Sequence, residues 1–239
     1  MAARSGDDIP EARRVVALRP ARPLWRQRLL LGTGISLLLA AALAVVFQQS
    51  LRRWLVPEPV PGLAARLSAD GRLLGHFPYG EAAGADLVTL APGMELHRDA
   101  AEAFLAMQRA AAADGVDLVV LSAFRSIALQ KSLFFDVKSA RAQSARDRAQ
   151  VSAPPGFSEH STGYALDLGD GRIPTANLSP SFSTTPAFQW LQSNAARFHF
   201  VLSFPDNNPQ GVSYEPWHWR FEGTADALRT FEPAQRLQP

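Results

Sequence analysis

Hydrophobic and polar positions divide this chain into one unbroken apolar block followed by shorter, periodic stretches. No charged residue occurs from Leu29 to Leu51, and Leu29–Phe47 is almost wholly apolar. At a rise of ~1.5 Å per residue, a helix of that length spans roughly 28 to 35 Å, which fits a hydrocarbon core of about 30 Å. Next, Val56-Pro57-Glu58-Pro59-Val60-Pro61-Gly62 alternates proline and predicts an extended, stiff spacer. Asp70-Gly71, between Ala65–Ser68 and Arg72–Phe77, predicts a small hairpin. Ala101, Phe104, Leu105 and Gln108 fall on one face of a helix over Arg98–Ala113, with Gly115 as its stop. Val116–Leu121 reads as a buried strand, and Ser126 as the cap of a helix from Ile127 to about Arg148 whose far end is polar and exposed.

A proline-rich loop, Ser152–Ser158, leads into a strand over Thr162–Leu168. Thr185-Pro186 starts a helix on which Ala187, Trp190, Leu191 and Asn194 recur at helical spacing. Phe198–Phe204 is a strand, Pro205–Gly211 a loop, and Trp217–Phe221 a last strand; Trp190, Phe188 and Phe198 read as core. Helices and strands interleave without the regular strand–helix repeat of a doubly wound sheet. The pattern predicts a single α+β domain, with no internal repeat.

Charge changes this picture at one point. Residues 1–53 hold nine arginines against Asp7, Asp8 and Glu11, a local balance of +6, while the remainder has 15 basic and 19 acidic residues. The folded part is therefore acidic, which argues against binding to a nucleic-acid backbone. Seven of those arginines precede the apolar block, and Arg52 and Arg53 follow it. The larger cationic excess stays in the cytoplasm, which places the C-terminal domain on the other side of the membrane. Ala42-Leu43-Ala44 resembles a signal-peptide cleavage site, but Val45-Val46-Phe47 prolongs the apolar run and the stretch before it is long and carries acids. An uncleaved anchor is the expectation.

Cysteine is absent, so disulfides, thiolate metal sites and a cysteine nucleophile are excluded. A tight metal site must use histidine and carboxylate. Of His76, His97, His160, His199 and His218, two stand in informative contexts: Ser158-Glu159-His160-Ser161-Thr162-Gly163-Tyr164-Ala165-Leu166-Asp167 and Glu215-Pro216-Trp217-His218-Trp219-Arg220. Two imidazoles and a carboxylate can hold a catalytic zinc with a fourth position left for water. A carboxylate that is not a ligand can then move the proton. Spacing alone leaves the site open. His160 and Asp167 are seven apart, so they share a face only if His160 lies in a turn before the strand, with Gly163 allowing the bend. Glu215 and His218 are three apart, and Pro216 assigns Glu215 to the loop end.

The pattern S-x-H-x-x-G-x-A-x-D followed some fifty residues later by E-P-W-H-x-R resembles the VanY-type D-alanyl-D-alanine carboxypeptidases. These are zinc metallopeptidases of the LAS group, related in fold to the Hedgehog signalling domain. The resemblance runs over roughly residues 65–232 and includes Ser122-Ala123-Phe124-Arg125-Ser126, close to the family's S-x-[YF]-R-S, and then Gln130. It implies a Hedgehog/DD-peptidase-like domain with a central, mostly antiparallel sheet and flanking helices. It also implies one Zn2+ per chain on His160, Asp167 and His218, with Glu215 as general base and later acid. Arg125 would hold the substrate's terminal carboxylate or polarise its carbonyl, Ser158 would bind the same end, and Gln130 would line the pocket. Trp217 is expected to pack against the metal pocket and Arg220 to support it. His76 would border the cleft, His97 lie on the surface, and His199 be a partly buried strand residue.

The expected organisation is a cytoplasmic arginine-rich tail (1–28), a transmembrane anchor (29–51), a linker (52–64), the zinc domain (65–232) and a C-terminal tail (233–239). The chain would be a monomer, single-pass in the cell (inner) membrane, its domain on the periplasmic side. It would act on peptidoglycan stem peptides ending in D-Ala-D-Ala. The same motifs serve L,D-carboxypeptidases and endopeptidases. A zinc module that only binds cell wall has no need of Glu215, and a metal-free membrane scaffold would need none of these residues.

Overall fold

The structure, a computed structural model, describes Leu63 and residues 65–237. The expected cytoplasmic tail, the anchor and nearly all of the linker lie outside the described residues. Among the described residues no helix is long and apolar enough to cross a membrane.

Two strands, β1 (Leu87–Ala91) and β2 (Met94–His97), pair antiparallel about Pro92-Gly93, where Gly93 takes φ +75°. His97 ends β2 and caps helix α1 (Arg98–Ala113), its Nδ1 accepting from the Asp99 N–H. The α1 stripe that enters the core is Ala100, Ala101, Phe104, Met107 and Ala111. Leu105, expected on that stripe, is 41% exposed because the buried face follows 100-104-107-111 and Leu105 lies a step around the helix. Strand β3 (Leu118–Ser122) follows, and then helix α2 (Ile127–Ala140), whose first turn is capped by the Ser126 hydroxyl accepting from the Leu129 N–H at 3.0 Å.

The helix expected to reach Arg148 stops at Ala140. Ala142 adopts φ +50°, and Ser144 then opens a separate short helix α3 (Ala145–Ala149) through a reciprocal capping box with Asp147. Strand β4 (Ala165–Asp170) is buried at every position. Helix α4 (Pro186–Asn194) is capped by Thr185 as expected, and β5 (Phe200–Leu202) is shorter than expected. Residues Ala195–Phe198 form a 3-10 turn instead, and His199 closes it at φ +62°. His199 is thus an exposed turn residue, not a strand residue. Strand β6 (His218–Phe221) and helix α5 (Ala225–Gln235) complete the domain, the helix running past the boundary expected at 232. Around Asp70-Gly71 there is a tight turn, with Ser68 N–H donating to Arg72 O at 2.8 Å, but only a single bridge, Leu73 to His76.

Strands β3, β4, β6 and β5 form one four-stranded antiparallel sheet in that order. Alternation along β4 and β6 gives the sheet two different faces. Leu166, Leu168, Trp219 and Phe221 join the core with α1, α4 and α5, whereas Asp167, His218 and Arg220 point the other way. The α+β reading with an antiparallel central sheet therefore stands.

Candidate active site

The sheet register assembles the site. Asp167 of β4 lies directly opposite His218 of β6, so their side chains emerge side by side on one face. His160 comes from a 3-10 turn, Glu159–Thr162, that ends at Gly163 in the left-handed region, φ +71°. A Cβ at Gly163 would come within 2.9 Å of Leu87 Cδ2, so both the bend and the space require glycine. A second turn answers the spacing question at the other motif. The His218 N–H donates to Glu215 O at 3.1 Å, which folds Glu215-Pro216-Trp217-His218 back on itself and brings Glu215 to the same side as His218.

His160 Nε2 lies 3.3 Å from Asp167 Oδ1, and His218 Nδ1 lies 3.1 Å from the same oxygen. One ligand atom from each of the three residues falls within 4.8 Å of the others. The two imidazole rings meet edge to face, with centroids 4.8 Å apart. His160 Nδ1 donates to Ala123 O at 2.7 Å. That bond leaves Nε2 as the bare, lone-pair nitrogen, and Nε2 is buried without a hydrogen bond. Two electron-rich atoms, His160 Nε2 and Asp167 Oδ1, thus face each other in a dry place. Burial, then the Arg125 charge, pushes the His160 pKa down to about 4, so a proton does not relieve that contact near neutrality. A divalent cation does, and the His2Asp donor set is of the kind that holds one.

The far nitrogen of His218, Nε2, bonds Glu159 Oε2 at 2.9 Å. Glu159 is itself gripped by Arg220 Nη1 at 3.0 Å, the Ser203 hydroxyl at 2.6 Å and the Tyr79 hydroxyl at 3.4 Å. Burial would raise the Glu159 pKa, but the charge of Arg220 and the bond to His218 overcome it and hold it at about 2. The bond fixes the orientation of the His218 ring, with Nδ1 turned to Asp167, as the outer partner of a metal-binding histidine does. Sequence reasoning alone assigns Glu159 no role. Its signal was its place beside His160, which does not reveal that its partner is His218, 59 residues away. Arg220 supports the shell as expected, through Glu159 and Glu222.

Glu215 Oε2 stands 4.0 Å from His218 Nδ1. Burial, partly offset by His218, pushes its pKa up to about 8. Arg125 reaches Asp167 Oδ2 at 3.8 Å and donates to Gln130 Oε1 at 3.1 Å. Ser158, Trp217 and His76 line the same cleft, a cavity of about 630 Å3. Gln130 is placed differently from the expectation. It is fully buried, and its amide nitrogen donates to Ala153 O at 2.6 Å and Ser152 Oγ at 3.2 Å. Gln130 therefore braces Arg125 from behind the cleft wall and does not form part of that wall. His97, expected on the surface, is a half-buried cap whose Nε2 meets the Tyr164 hydroxyl at 3.1 Å.

The family model of VanY, D-alanyl-D-alanine carboxypeptidase, matches residues 93–224, more than half of the chain. A D-alanyl-D-alanine carboxypeptidase of Enterococcus faecalis (strain ATCC 700802 / V583) is 33% identical over 139 residues, covering 54% of this chain and 49% of that protein. The chain spans about half the length of curated relatives it matches, 46% and 49% for two of them. Among solved structures, the LdcB LD-carboxypeptidase is similar at 28% identity and a TM-score of 0.56, over 69% of this chain and 83% of that one. The vancomycin resistance D,D-pentapeptidase VanY of a VanB-type cassette, solved with Zn(II), is similar at 25% identity and a TM-score of 0.51, over 65% and 89%.

Proposed function

The chain belongs to the VanY family of D-alanyl-D-alanine carboxypeptidases, and on that premise we propose that it is a zinc carboxypeptidase that removes the terminal D-alanine from peptidoglycan stem peptides. The observation that carries this reading is the convergence of His160, Asp167 and His218 within 4.8 Å, with Glu215 4.0 Å from His218. His160, Asp167 and His218 would hold one Zn2+. When bound, zinc supplies Lewis acidity and lowers the pKa of a bound water toward ~7.

The protein's own groups do the rest. Glu215 takes a proton from the attacking water onto its carboxylate and returns it to the leaving amine. Burial that raises its pKa suits a carboxyl group that must hold a proton for part of each turnover. Arg125, held by Gln130, presents a planar cation to the scissile carbonyl or to the terminal carboxylate. Ser158 lines the same space and can donate to that end of the substrate. Glu159 keeps His218 aimed at Asp167. A module that only binds cell wall would have no use for Glu215 at this position.

A second reading has one observation in its favour: the LdcB LD-carboxypeptidase aligns with a TM-score of 0.56. An L,D-carboxypeptidase would trim the tetrapeptide and not the pentapeptide. Zinc-loaded protein incubated with defined stem penta- and tetrapeptides, with products weighed by mass spectrometry, separates the two. Loss of one D-alanine from the pentapeptide supports the D,D reading; cleavage of the tetrapeptide alone replaces it with the L,D reading; cleavage within the stem makes the chain an endopeptidase. Residues 29–51 would anchor the domain, as a monomer, on the periplasmic side of the inner membrane, where stem peptides are exposed. A reporter enzyme fused after residue 239 and active only outside the cytoplasm tests that placement, and a silent fusion would reverse it.

A further inference from the structure

The cleft that holds the zinc residues also holds Arg141 and Arg148, which the proposed reaction does not use. Charge is unevenly spread along it. Asp167, Glu159 and Glu215 crowd one end, and Arg125 feels two of them, Asp167 and Glu215. Arg148 feels neither. After burial, the charges that lower its pKa are those of Arg141 and Arg125. Arg125, Arg141 and Arg148 thus line one cleft together, and the charges acting on Arg148 are those of the other two arginines.

Among the described residues, no carboxylate pairs with Arg141 or Arg148 within 4.0 Å. Arg148 Nη2 makes one long bond, 3.4 Å to Leu133 O, and its Nε is buried with no hydrogen-bond partner. Donors left unmet in a half-buried cation are costly unless a ligand meets them.

The segment is also held firmly. Ala149 is fully buried against Leu63, Leu73 and Phe134, and its carbonyl meets His76 Nε2 at 2.8 Å. The Ser213 N–H donates to Gln150 O at 3.0 Å. Gln130 bonds both Arg125 and the Ser152–Ala153 backbone, so one side chain ties the first arginine to the loop that follows the other. A cation set in this way loses little freedom when it binds.

We infer that Arg148, with Arg141 beside it, forms a second anion subsite of the cleft, which takes a carboxylate of the stem peptide in addition to the group held at Arg125. This rests on the carboxypeptidase reading. A carboxylate could come from two places on such a peptide: an acidic side chain on a residue before the scissile bond, or the free C-terminus of the leaving residue. Both offer the two-oxygen fork that a guanidinium matches.

The test uses zinc-loaded full chain, wild type and Arg148→Gln, Arg148→Lys and Arg141→Gln. Three peptides are compared: one with a side-chain carboxylate on its third residue, the same peptide with that carboxylate amidated, and the same with its C-terminus amidated. The subsite predicts a wild-type preference in kcat/KM of about tenfold or more for the acid at one of the two places. Arg148→Gln should shrink that preference at least fivefold, Arg148→Lys should shrink it less, and Arg141→Gln should fall between Lys and wild type. The place at which preference is lost identifies the source. A preference unchanged within twofold in Arg148→Gln, or no wild-type preference at either place, overturns the subsite. Should the wild type cleave none of the peptides, the carboxypeptidase reading fails separately, and calorimetric binding to the metal-free chain decides the subsite. There, a fivefold loss of affinity for the acid peptide in Arg148→Gln supports it, and equal affinity rejects it.

Discussion

The two ends of the cleft are built in different ways. At the zinc end, Asp167 and His218 are register partners in the β4–β6 ladder, so the backbone bonds of a fully buried strand set their separation. At the arginine end, Arg125 and Arg148 stand on a loop and on the five-residue helix α3, and side-chain braces, Gln130 foremost, hold the segment in place. A ladder resists the loss of any one side chain. A braced loop depends on its brace. The zinc end should therefore respond to changes in chemistry, and the arginine end to changes in support.

The largest effect tests the first half of that contrast. Glu215→Ala should keep zinc, since Glu215 is not among the three clustered residues, yet lose about 10^2 to 10^4 in kcat. Activity within a few-fold of wild type would remove Glu215 from the mechanism. Glu159→Gln comes next. It should weaken zinc binding by about 10- to 100-fold, because the partner that fixes His218 is lost. Competition with a chelator of known affinity measures this. The same substitution carries a sign in pH. The folded pKa of Glu159, about 2, lies below its unfolded value of ~4.3. Its contribution to the metal-free protein is therefore complete above the unfolded pKa and fades as pH falls toward the folded one. The stability gap between wild type and Glu159→Gln should narrow between neutral pH and pH ~3. A gap that widens on acidification contradicts the assignment.

Gln130→Leu sharpens the other half. It removes three bonds behind the cleft wall and should destabilise the fold by about 1–3 kcal/mol, with kcat/KM falling while zinc content stays whole. Loss of zinc instead would mean that the two ends are not supported independently. The smallest effect is expected from Ser144→Ala, which removes one side of the α3 capping box. About 1 kcal/mol or less is expected, read as a shift of the denaturation midpoint without a change in zinc affinity.

The same contrast explains what could be read in advance. The zinc end is written in short motifs, and Gly163 between His160 and Asp167 already pointed to the bend that the structure contains at φ +71°. Helix α1 and the Ser126 and Thr185 caps were legible for the same reason: each is local, carried by periodicity or by one side chain next to the backbone it satisfies. The arginine end was not legible. Residues 141–148 read as the polar end of one long helix, because Ser144 and Asp147, the capping box that begins a new one, look in a sequence like any solvent-facing polar side chains. Strands β1 and β2 are short and half-exposed, which leaves little alternation to see. Gln130, 22 residues from Ser152, and Glu159, 59 from His218, act through partners that only the fold brings near.

The most direct test is the zinc content of the purified chain, measured by mass spectrometry of the metal, for wild type and His160→Ala after dialysis against a weak chelator. One zinc per wild-type chain and essentially none in His160→Ala is the expected result. Wild-type protein without stoichiometric zinc, or a His160→Ala chain that keeps it, would contradict the assignment of His160, Asp167 and His218 to a single ion.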